Sequence, residues 1–381
     1  MLKKIYIDNW RCFVNFECPL EAIQLLVGSN GVGKSSVFDA LALIRSFVCE
    51  DEPLAKLLPY ESLTRWSSPD RVIQTFELEV ERSGQVFHYS LNVEHNPVLR
   101  KSRVHLESLE LDGATLFHFE KGTVQLYRDD FTTGPTFKFE RTRSGLGTVG
   151  AGNDNKNLEW FRAWLSSSQV VRLNPFGMRS EAHTEAMTLD KHGVNFSEWF
   201  RHSVQEDLEI NTRLTNRLQE VWPDFRSLKL EKAGEDTRLL KAKFGSESYS
   251  FAELSDGQRC LIVLNAFLCF VEASGSNASK SEVSDSKASG FSLVAFDEAL
   301  NFVALREIQW WLAEWVSLAD DNRIQVLFSG HHPEVIDFLG TSRSLHLSRT
   351  AGGPTRVGPL EFQLQTTMPP SALISRGLVD E

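Results

Sequence analysis

The chain has 381 residues, enough for two or three ordinary domains or for one large α/β domain divided into lobes. Its hydrophobic content of 41%, with 26 Phe and 9 Trp, predicts a substantial core. The formal net charge of −11 gives no basis for a general affinity for nucleic acid, so that function class is disfavoured by composition.

The cysteines show no C-x-x-C spacing, which disfavours a zinc site or a disulfide framework. They fit buried or free thiols in a reducing compartment. The N-terminus has no apolar signal core, and no apolar run reaches the length that we expect of a membrane span. These features predict a cytoplasmic protein with no membrane partner.

Strand patterns dominate the first third of the chain. Leu2 to Asp8 alternates in strand fashion, and a second strand is predicted at residues 16–20. Two hairpins follow, one formed by residues 74–81 and 85–93 and the other closed by Asp112-Gly113. Short strand patterns continue to Phe139. We therefore predict a strand-rich N-terminal arm.

Residues 28–35 match the P-loop pattern G-x-x-x-x-G-K-[ST] with the sequence GSNGVGKS. A short apolar strand is predicted before them at residues 22–27, and helical spacing follows at residues 36–44. The glycines let the backbone close around a phosphate, and the next helix points its N-terminal dipole at the same anion. Lys34 can reach the β- and γ-phosphates, and the Ser35 hydroxyl can bind Mg²⁺. The motif predicts nucleotide binding; a glycine-rich turn is the alternative.

The apolar periodicity predicts that the middle of the chain is mainly helical. A loop is expected at residues 143–157, helices at 158–167 and 196–221, a strand pair at 228–232 and 239–244, and a helix through 261–271. No heptad repeat is sustained, so no long coiled coil is predicted. The small polar residues 274–290 predict a flexible surface loop. The residues from about Leu364 onward are expected to be irregular.

Two late apolar strands end in polar residues that suit phosphate chemistry. Residues 291–296 are followed by Asp297 and Glu298. Beside a P-loop, Asp297 would hold Mg²⁺ through water and Glu298 would orient or deprotonate the attacking water. Alone, this pair could simply begin a solvated loop. The strand at 324–328 leads to His331, whose imidazole can contact a γ-phosphate, although a histidine at a strand end is often structural.

Residues 254–259 have the sequence LSDGQR and directly precede the helical run. A Ser hydroxyl and Gly backbone N–H groups at a helix N-terminus can form a second anion site. A second site is useful only if it covers the γ-phosphate from a different subunit. The alternative is an ordinary helix cap, with Ser255 as the N-cap residue.

Taken in this order, the four motifs resemble ABC-type ATPases of the SMC/RecF/OLD-like group, in particular small bacterial AAA family ATPases with an ABC head. LSDGQ is similar to the signature L-S-G-G-Q of that group. The opening at residues 4–13 and the segment at 189–195 also resemble the group. The similarity covers nearly the whole chain, while its specific residues lie in these motifs.

The resemblance implies an α/β P-loop NTPase fold with a mixed sheet, a strand-rich N-terminal arm and a helical lobe that carries the signature. It implies that ATP and Mg²⁺ are bound by Asn30, Gly31, Val32, Gly33, Lys34, Ser35 and Ser36. It also implies that Ser35 and Asp297 hold the metal, with Glu298 as catalytic carboxylate, His331 as switch histidine and Lys34 as a catalytic cation. Groups acting in trans would be Ser255, Gly257 and Gln258, and Arg11 is a weaker candidate for nucleotide contact.

The chain departs from the group at three places. Residues 297–300 are DEAL where the group often has D-E-P-E, which implies slow hydrolysis. The switch motif is GHHP instead of T-H-S-P, and alignment favours His331 over His332. The glutamine that senses Mg²⁺ and γ-phosphate has no clear counterpart; Gln74 and Gln85 are unassigned candidates.

The predicted organisation is a single head over residues 1–381. Its nucleotide-binding lobe would comprise about 1–140 and 290–365, its helical lobe about 158–273, and its flexible loop 274–290. The chain lacks the long coiled coil of SMC proteins, a zinc hook, and the Toprim domain of OLD nucleases. It therefore resembles a head without its own effector.

One P-loop and one signature per chain predict a homodimer that encloses two shared ATP molecules, and a higher oligomer is compatible. We expect a slow ATPase that switches a separate nuclease or toxin in bacterial defence or genome maintenance. The alternative is a RecF-like repair ATPase that acts on DNA directly. A transporter ATPase is a third and weaker hypothesis. The signature motif argues against a small-molecule kinase.

Overall fold

The computed structural model describes residues 1–68, 70–278, 290–350, 352–362 and 368–379, with the backbone alone for 275–278. Within these residues the strands, in chain order, are β1 Leu2–Asp8, β2 Phe16–Pro19, β3 Ile23–Val27, β4 Ile73–Arg82, β5 Gln85–Asn96, β6 Lys101–Leu111, β7 Ala114–Glu120, β8 Thr123–Tyr127, β9 Thr133–Lys138, β10 Ser168–Val171, β11 Glu181–Ala182, β12 Phe225–Lys232, β13 Arg238–Phe244, β14 Glu247–Ser250, β15 Leu293–Asp297, β16 Gln325–Ser329, β17 Ser344–Ser348 and β18 Arg356–Pro359. The α-helices are α1 Lys34–Cys49, α2 Leu54–Leu57, α3 Lys156–Ser166, α4 Phe196–Glu206, α5 Glu209–Val221, α6 Asp256–Ala278, α7 Gln309–Asp320, α8 Pro333–Leu339 and α9 Pro370–Ser375.

The N-terminal arm is an antiparallel sheet of eight strands in the order β2-β1-β4-β5-β6-β7-β8-β9. The predicted hairpins are confirmed, with Arg82 opposite Gln85 in one and Leu111 opposite Ala114 in the other. Apolar side chains alternate along β4, so that one face of the sheet is buried. This face packs against α1 and α3 in one continuous core.

The second sheet has six strands in the order β10-β15-β16-β3-β17-β18, and only β18 is antiparallel to its neighbour. It is therefore the predicted mixed sheet. Its central strands are buried on both faces: Leu26 joins the core on the α1 side, while Leu25 joins the core on the opposite side. Because the strands are parallel and covered on both faces, their sequences are continuous apolar runs.

Helix α1 lies between the two sheets and is apolar almost all round. Its buried positions include Val37, Leu41, Ile44 and Phe47, as expected of a helix enclosed on more than one face. This sandwich fixes the position of the residue that begins the helix, Lys34. The P-loop is therefore held by a helix that is buried in the core.

The helical lobe contains α4, α5 and α6 together with a small sheet in which β13 pairs with β11, β12 and β14. Its core is continuous with the other face of the six-stranded sheet, which α7 also covers through Trp311 and Trp315. The lobe begins later than the predicted residue 158. Helix α3 packs with the N-terminal core and β10 is an edge strand of the six-stranded sheet, so both belong to the nucleotide-binding lobe.

Three local predictions are wrong. Residues 196–221 form two helices, because α4 ends before Asp207, whose carboxylate accepts the backbone N–H of Glu209 at 2.8 Å in a turn between the helices. The loop predicted at 274–290 begins later, since α6 continues to Ala278, and residues 279–289 lie outside the described residues. The stretch after Leu364 is not wholly irregular, because Pro370 opens the short helix α9.

Helix α6 is long and apolar enough to cross a membrane by length and composition, over Asp256–Ser274, contrary to the prediction that no run reaches that length. However, 67% of this window is buried inside the fold. Cys260, Ile262 and Leu264 are among its fully enclosed side chains. The apolar composition is explained by its place at the centre of the helical lobe.

Candidate nucleotide site

The P-loop connects β3 to α1 at the carboxyl edge of the six-stranded sheet, where ligands of α/β folds usually bind. Gly33 precedes the helix with φ of 106°, a conformation that side chains rarely adopt. A Cβ at Gly33 would also lie 2.6 Å from the Cys12 sulfur. Both the backbone and the available space therefore require glycine at this turn.

Lys34 folds back over its own loop. Its Nζ donates to the carbonyls of Gly28 at 2.7 Å and Ser29 at 3.2 Å, and lies 2.9 Å from Nε2 of His331. Burial lowers the pKa of Lys34, against the opposing effect of nearby carboxylates. Burial, followed by the Lys34 charge, also lowers the pKa of His331. A neutral imidazole therefore accepts a hydrogen bond from the lysine at the P-loop.

Asp297 ends β15 with its side chain fully buried. Its Oδ1 accepts from the hydroxyls of Ser35 at 2.9 Å and Ser329 at 2.6 Å. Its Oδ2 accepts from the guanidinium of Arg172, which follows β10. The parallel register places Asp297 beside Ser329, so adjacent strand ends build this cluster.

The oxygen donors at this point suit Mg²⁺. A serine hydroxyl and a carboxylate are hard ligands, and Mg²⁺ usually takes few protein ligands and completes its shell with waters and substrate phosphates. Among the described residues there is no group of three or more His, Cys, Asp or Glu that could hold a metal alone. Ser35 and Asp297 are the residues that would hold Mg²⁺ together with a nucleotide.

Glu298 turns out of the strand into the open cleft. Its φ is 49°, in the left-handed region that non-glycine residues rarely occupy. The backbone N–H of Glu298 donates to the Ser329 carbonyl at 3.0 Å, and Asn301 Nδ2 donates to its carboxylate at 3.2 Å. Backbone strain of this kind is concentrated at functional sites. Here it aims a carboxylate at the P-loop.

The cleft over the P-loop has a volume of about 320 Å³. Its lining residues are Arg11, Cys12, Asn30, Gly31, Gly33, Lys34, Ser35, Ser36 and Glu298. Of the predicted P-loop contacts, Val32 does not line the cleft. Its side chain packs in the core, while its carbonyl accepts from the Thr355 hydroxyl at 2.7 Å.

Behind the cleft lies a charge network that the sequence motifs did not reveal. Asp39 on α1 accepts from Arg11 at 2.6 Å and from Lys191 at 2.5 Å, and its Oδ1 lies 3.5 Å from Arg172. Burial alone would raise the pKa of Asp39, but the hydrogen bonds from Lys191 and Arg11 lower it overall. Arg11 also donates to Ser36 at 3.3 Å. The carboxylate thus connects the P-loop helix to the base of the helical lobe.

The signature turn lies at the start of α6 and does not line the cleft. Ser255 and Gln258 form a reciprocal capping box, with distances of 3.1 Å and 3.3 Å. A Cβ at Gly257 would lie 2.7 Å from the Phe302 carbonyl, so close packing requires glycine. Beside the turn, the rings of Phe176 and Phe302 are exposed and pack edge to face. The helix-cap interpretation is therefore correct as local geometry, and a role in trans remains a proposal.

Neither candidate for the sensing glutamine reaches the cleft. Gln74 is fully buried and bonds to the Asn9 carbonyl and to His95. Gln85 lies at a hairpin end and bonds to Asp112. The second histidine of the switch motif, His332, faces away from Lys34 into a small pocket behind Glu298. The contact with Lys34 is thus made by His331.

Residues 1–68 match a family model described as an AAA ATPase domain. No curated protein matches the chain. Among solved structures, an SMC head bound to the C-winged helix domain of ScpA is similar with a TM-score of 0.53 and 11% identity, covering 94% of this chain and 98% of that one. The SMC head domain from Thermotoga maritima is similar at 14% identity and a TM-score of 0.49, covering 94% of this chain and 99% of that one.

Identity this low shows the fold and not the biological role. The AAA ATPase match covers the strand, P-loop and helix on which the cleft is built. The chain therefore has the fold of an SMC head, and its P-loop segment is similar to an AAA ATPase domain.

Proposed function

We propose that the protein dimerises around ATP and acts as a slow, ATP-gated switch for a separate effector protein. The observation that carries this proposal is the division of the site. Lys34, Asp297, Glu298 and His331 converge on one edge of the sheet, whereas the signature turn lies outside that cleft. A second chain can supply the missing signature in a head-to-tail arrangement.

In this proposal the P-loop backbone and Lys34 hold the β- and γ-phosphates of ATP. Mg²⁺, held by Ser35 and Asp297, would neutralise phosphate charge. Glu298 orients the attacking water or accepts its proton. His331, neutral near pH 7, donates its ring N–H to the γ-phosphate and detects its loss. Asp297 and Glu298 are supplied by the end of β15, His331 by the loop after β16, and the other groups by the P-loop.

The signature turn would close the site from the partner. The Ser255 hydroxyl accepts the N–H of Gln258 and keeps its own hydrogen to donate to a phosphate oxygen. The exposed pair Phe176 and Phe302 adds apolar area beside it. Hydrolysis removes the shared γ-phosphate contact, and the two heads then separate.

Control of a separate effector is supported by the solved SMC head that carries a domain of another protein, ScpA. A head of this fold can therefore present a surface to a partner chain. In this proposal the effector is a nuclease or toxin of a bacterial defence or genome-maintenance system, and the protein acts in the cytoplasm.

The test is ATP-dependent dimerisation of Glu298→Gln. This variant should bind ATP as the wild type does, lose at least about 100-fold in turnover, and accumulate as a dimer in light scattering after size-exclusion chromatography with Mg·ATP. The matched control is Glu334→Gln, a half-buried glutamate on α8 that bonds to Gln309 outside the cleft. A variant that hydrolyses ATP at the wild-type rate, or stays monomeric with ATP, would refute the switch.

One observation favours the RecF-like alternative, in which the protein binds DNA. The outer face of the small sheet forms a groove of about 200 Å³ lined by Ser227, Lys229, Glu231, Lys241, Lys243, Ser246 and Ser248. Glu231 pairs with Lys241 at 2.8 Å, and within the described residues Lys229 and Lys243 have no carboxylate within 4.0 Å. Lysine and serine contact the phosphate backbone but are depleted at protein interfaces.

ATP-dependent retention of a DNA duplex, lost in the double variant Lys229→Ala/Lys243→Ala, would support direct action on DNA. The binding constant should then fall with rising salt. Equal retention of DNA by the wild type and the double variant would refute the role of this groove in DNA binding.

A further inference from the structure

Arg172 is bound to the carboxylate that the proposed function assigns to Mg²⁺. Its Nε and one terminal nitrogen both donate to Oδ2 of Asp297, a fully buried side chain. The remaining oxygen, Oδ1, accepts from Ser35 and Ser329. The carboxylate thus already carries one cation and two hydroxyl donors. A divalent cation that approaches it must compete with the guanidinium.

A second carboxylate, that of Asp39, also lies near Arg172. The same guanidinium lies 3.5 Å from Oδ1 of Asp39, and its side chain is 31% exposed, so it has room to move. Asp39 is held ionised, since Lys191 and Arg11 keep its pKa below the usual range despite burial. Arg172 can therefore exchange one carboxylate for the other with a short movement.

Arg11 determines how much of Asp39 is available. Arg11 lines the nucleotide cleft and pairs with Oδ2 of Asp39 at 2.6 Å. If a nucleotide phosphate attracts Arg11, one oxygen of Asp39 loses its cation. Arg172 lies nearest Oδ1, where it would join Lys191 and restore the positive charge around Asp39 that Arg11 removes from Oδ2.

We propose that Arg172 is a gate on the metal position: it competes with Mg²⁺ for Asp297, and Asp39 receives its guanidinium when the metal binds with nucleotide. Arg172 is a positioning residue and takes no part in bond making. This inference rests on the proposed function of the cleft as a Mg·ATP site. The inference adds that Arg172 and the metal exchange on the buried Asp297 carboxylate. Asp39, on the P-loop helix, is the second carboxylate that accepts the arginine.

The exchange also has a mechanical consequence. The backbone N–H of Arg172 donates to the Lys191 carbonyl at 2.7 Å, and its carbonyl lies 2.9 Å from Nδ1 of His192. Residues 191–192 lead into α4 of the helical lobe. The backbone of Arg172 is therefore bonded to the segment that leads into the helical lobe. A movement of Arg172 on metal binding would shift this segment.

The experiment measures metal affinity without turnover. Mn²⁺ is titrated into protein saturated with the non-hydrolysable analogue AMP-PNP, and free Mn²⁺ is followed by electron paramagnetic resonance. Arg172→Gln should bind Mn²⁺ roughly tenfold more tightly than wild type, because one competing charge is gone. Arg172→Lys keeps the charge and should stay near wild type. Unchanged or weaker Mn²⁺ binding by Arg172→Gln would overturn the gate and leave Arg172 as a brace for Asp297.

The role of Asp39 is tested by a double-mutant cycle. Asp39→Asn should weaken Mn²⁺ binding roughly threefold or more, because Arg172 loses its alternative acceptor. In the Arg172→Gln background the same substitution should have no further effect. Additive effects of the two substitutions would overturn the exchange.

The control is Arg343→Gln, which removes an arginine of similar exposure, 37%, from its surface pair with Asp320. It should leave the Mn²⁺ constant unchanged. Failure of the proposed function is distinguishable, because the wild type would then bind no AMP-PNP at any Mn²⁺ concentration. If wild type binds the analogue with metal and only the predicted shifts are missing, the gate alone fails.

Discussion

The P-loop edge and the signature turn carry motifs of similar length, but the chain supports them in different ways. At the P-loop edge, Lys34 contacts His331 and Ser35 contacts Asp297, residues that are 297 and 262 positions apart. In the signature turn, Ser255 bonds to Gln258, three positions away. One site is assembled by the whole sheet, whereas the other is completed by a single helical turn.

This difference indicates what each region can do alone. The P-loop edge gathers a cation, a buried carboxylate, a second carboxylate and an imidazole within one chain. The signature turn has a capped helix start and an exposed pair of aromatic rings. Substitutions in the first region should change nucleotide chemistry, and substitutions in the second should change association.

The largest expected effect is that of Lys34→Ala. The variant removes a buried ammonium from the P-loop and leaves the phosphates without their cation, so ATP affinity should fall by roughly 100-fold or more. Equilibrium binding of a fluorescent ATP analogue measures this. The control Lys56→Ala breaks an exposed ion pair with Glu52 and should bind normally. Near-normal affinity of Lys34→Ala would contradict the P-loop assignment.

Ser255→Arg should block ATP-dependent dimerisation and leave ATP binding by the monomer intact, because the added bulk obstructs the face offered to the partner. Sedimentation velocity with the Glu298→Gln background gives the readout. Ser255→Ala removes the same cap and the donated hydroxyl without adding bulk, costs about 1 kcal/mol of helix stability, and should weaken dimerisation less than Ser255→Arg does. If both variants dimerise equally, the turn is only a helix cap.

The two adjacent histidines should differ in their effect on turnover. His331→Ala should lower it by roughly 10- to 100-fold, while His332→Ala should change it little. Because burial and Lys34 lower the pKa of His331 from its ordinary 6.5, the imidazole is neutral at pH 7. Turnover by the wild type should hold from pH 8 to about 6.5 and decline only at lower pH. A larger loss in His332→Ala would reverse the assignment, and an acid limb above pH 6.5 would contradict the lowered pKa of His331.

The smallest expected effects are those of replacing one glycine in each region, Gly33 at the P-loop and Gly257 at the signature turn. Gly33→Ala should destabilise the fold by about 1–3 kcal/mol and also weaken ATP binding, since it combines a positive φ with a contact to Cys12. Gly257→Ala should cost a similar amount through its contact with Phe302. It should leave ATP binding by the monomer unchanged. Urea denaturation and nucleotide binding measure both variants, and equal losses of ATP affinity would contradict the separation.

Local pattern was sufficient where one segment determines the structure. The strand, P-loop and helix around Lys34 were predicted because apolar periodicity and glycine spacing act within a few residues. The same holds for the hairpins of the N-terminal arm. The break at Asp207 also has a local signal, an aspartate that favours a turn by accepting the N–H of Glu209, but the continuous apolar periodicity of the two helices concealed it.

The charge network behind the cleft could not be predicted from pattern. Arg172 lies in no motif, and the resemblance of segment 189–195 gave Lys191 no role; the two residues meet Asp39 across 133 and 152 positions. Only the folded sheet brings β10 beside β15 and places the Arg172 guanidinium in contact with the Asp297 carboxylate. The short strand β10 was missed for the same reason, since four residues give little periodicity and its partner is distant.

The central position of β3 has a consequence for synthesis of the protein. This strand lies between β16 and β17, and the Gln325 side chain bonds to the backbone of Leu2, 323 positions away. The ribosome therefore releases the P-loop about 300 residues before its sheet neighbour β16. The eight-stranded arm can form first, because its strands are consecutive apart from the P-loop segment. A nascent chain that stops before β16 should thus be unable to complete the sheet around the P-loop.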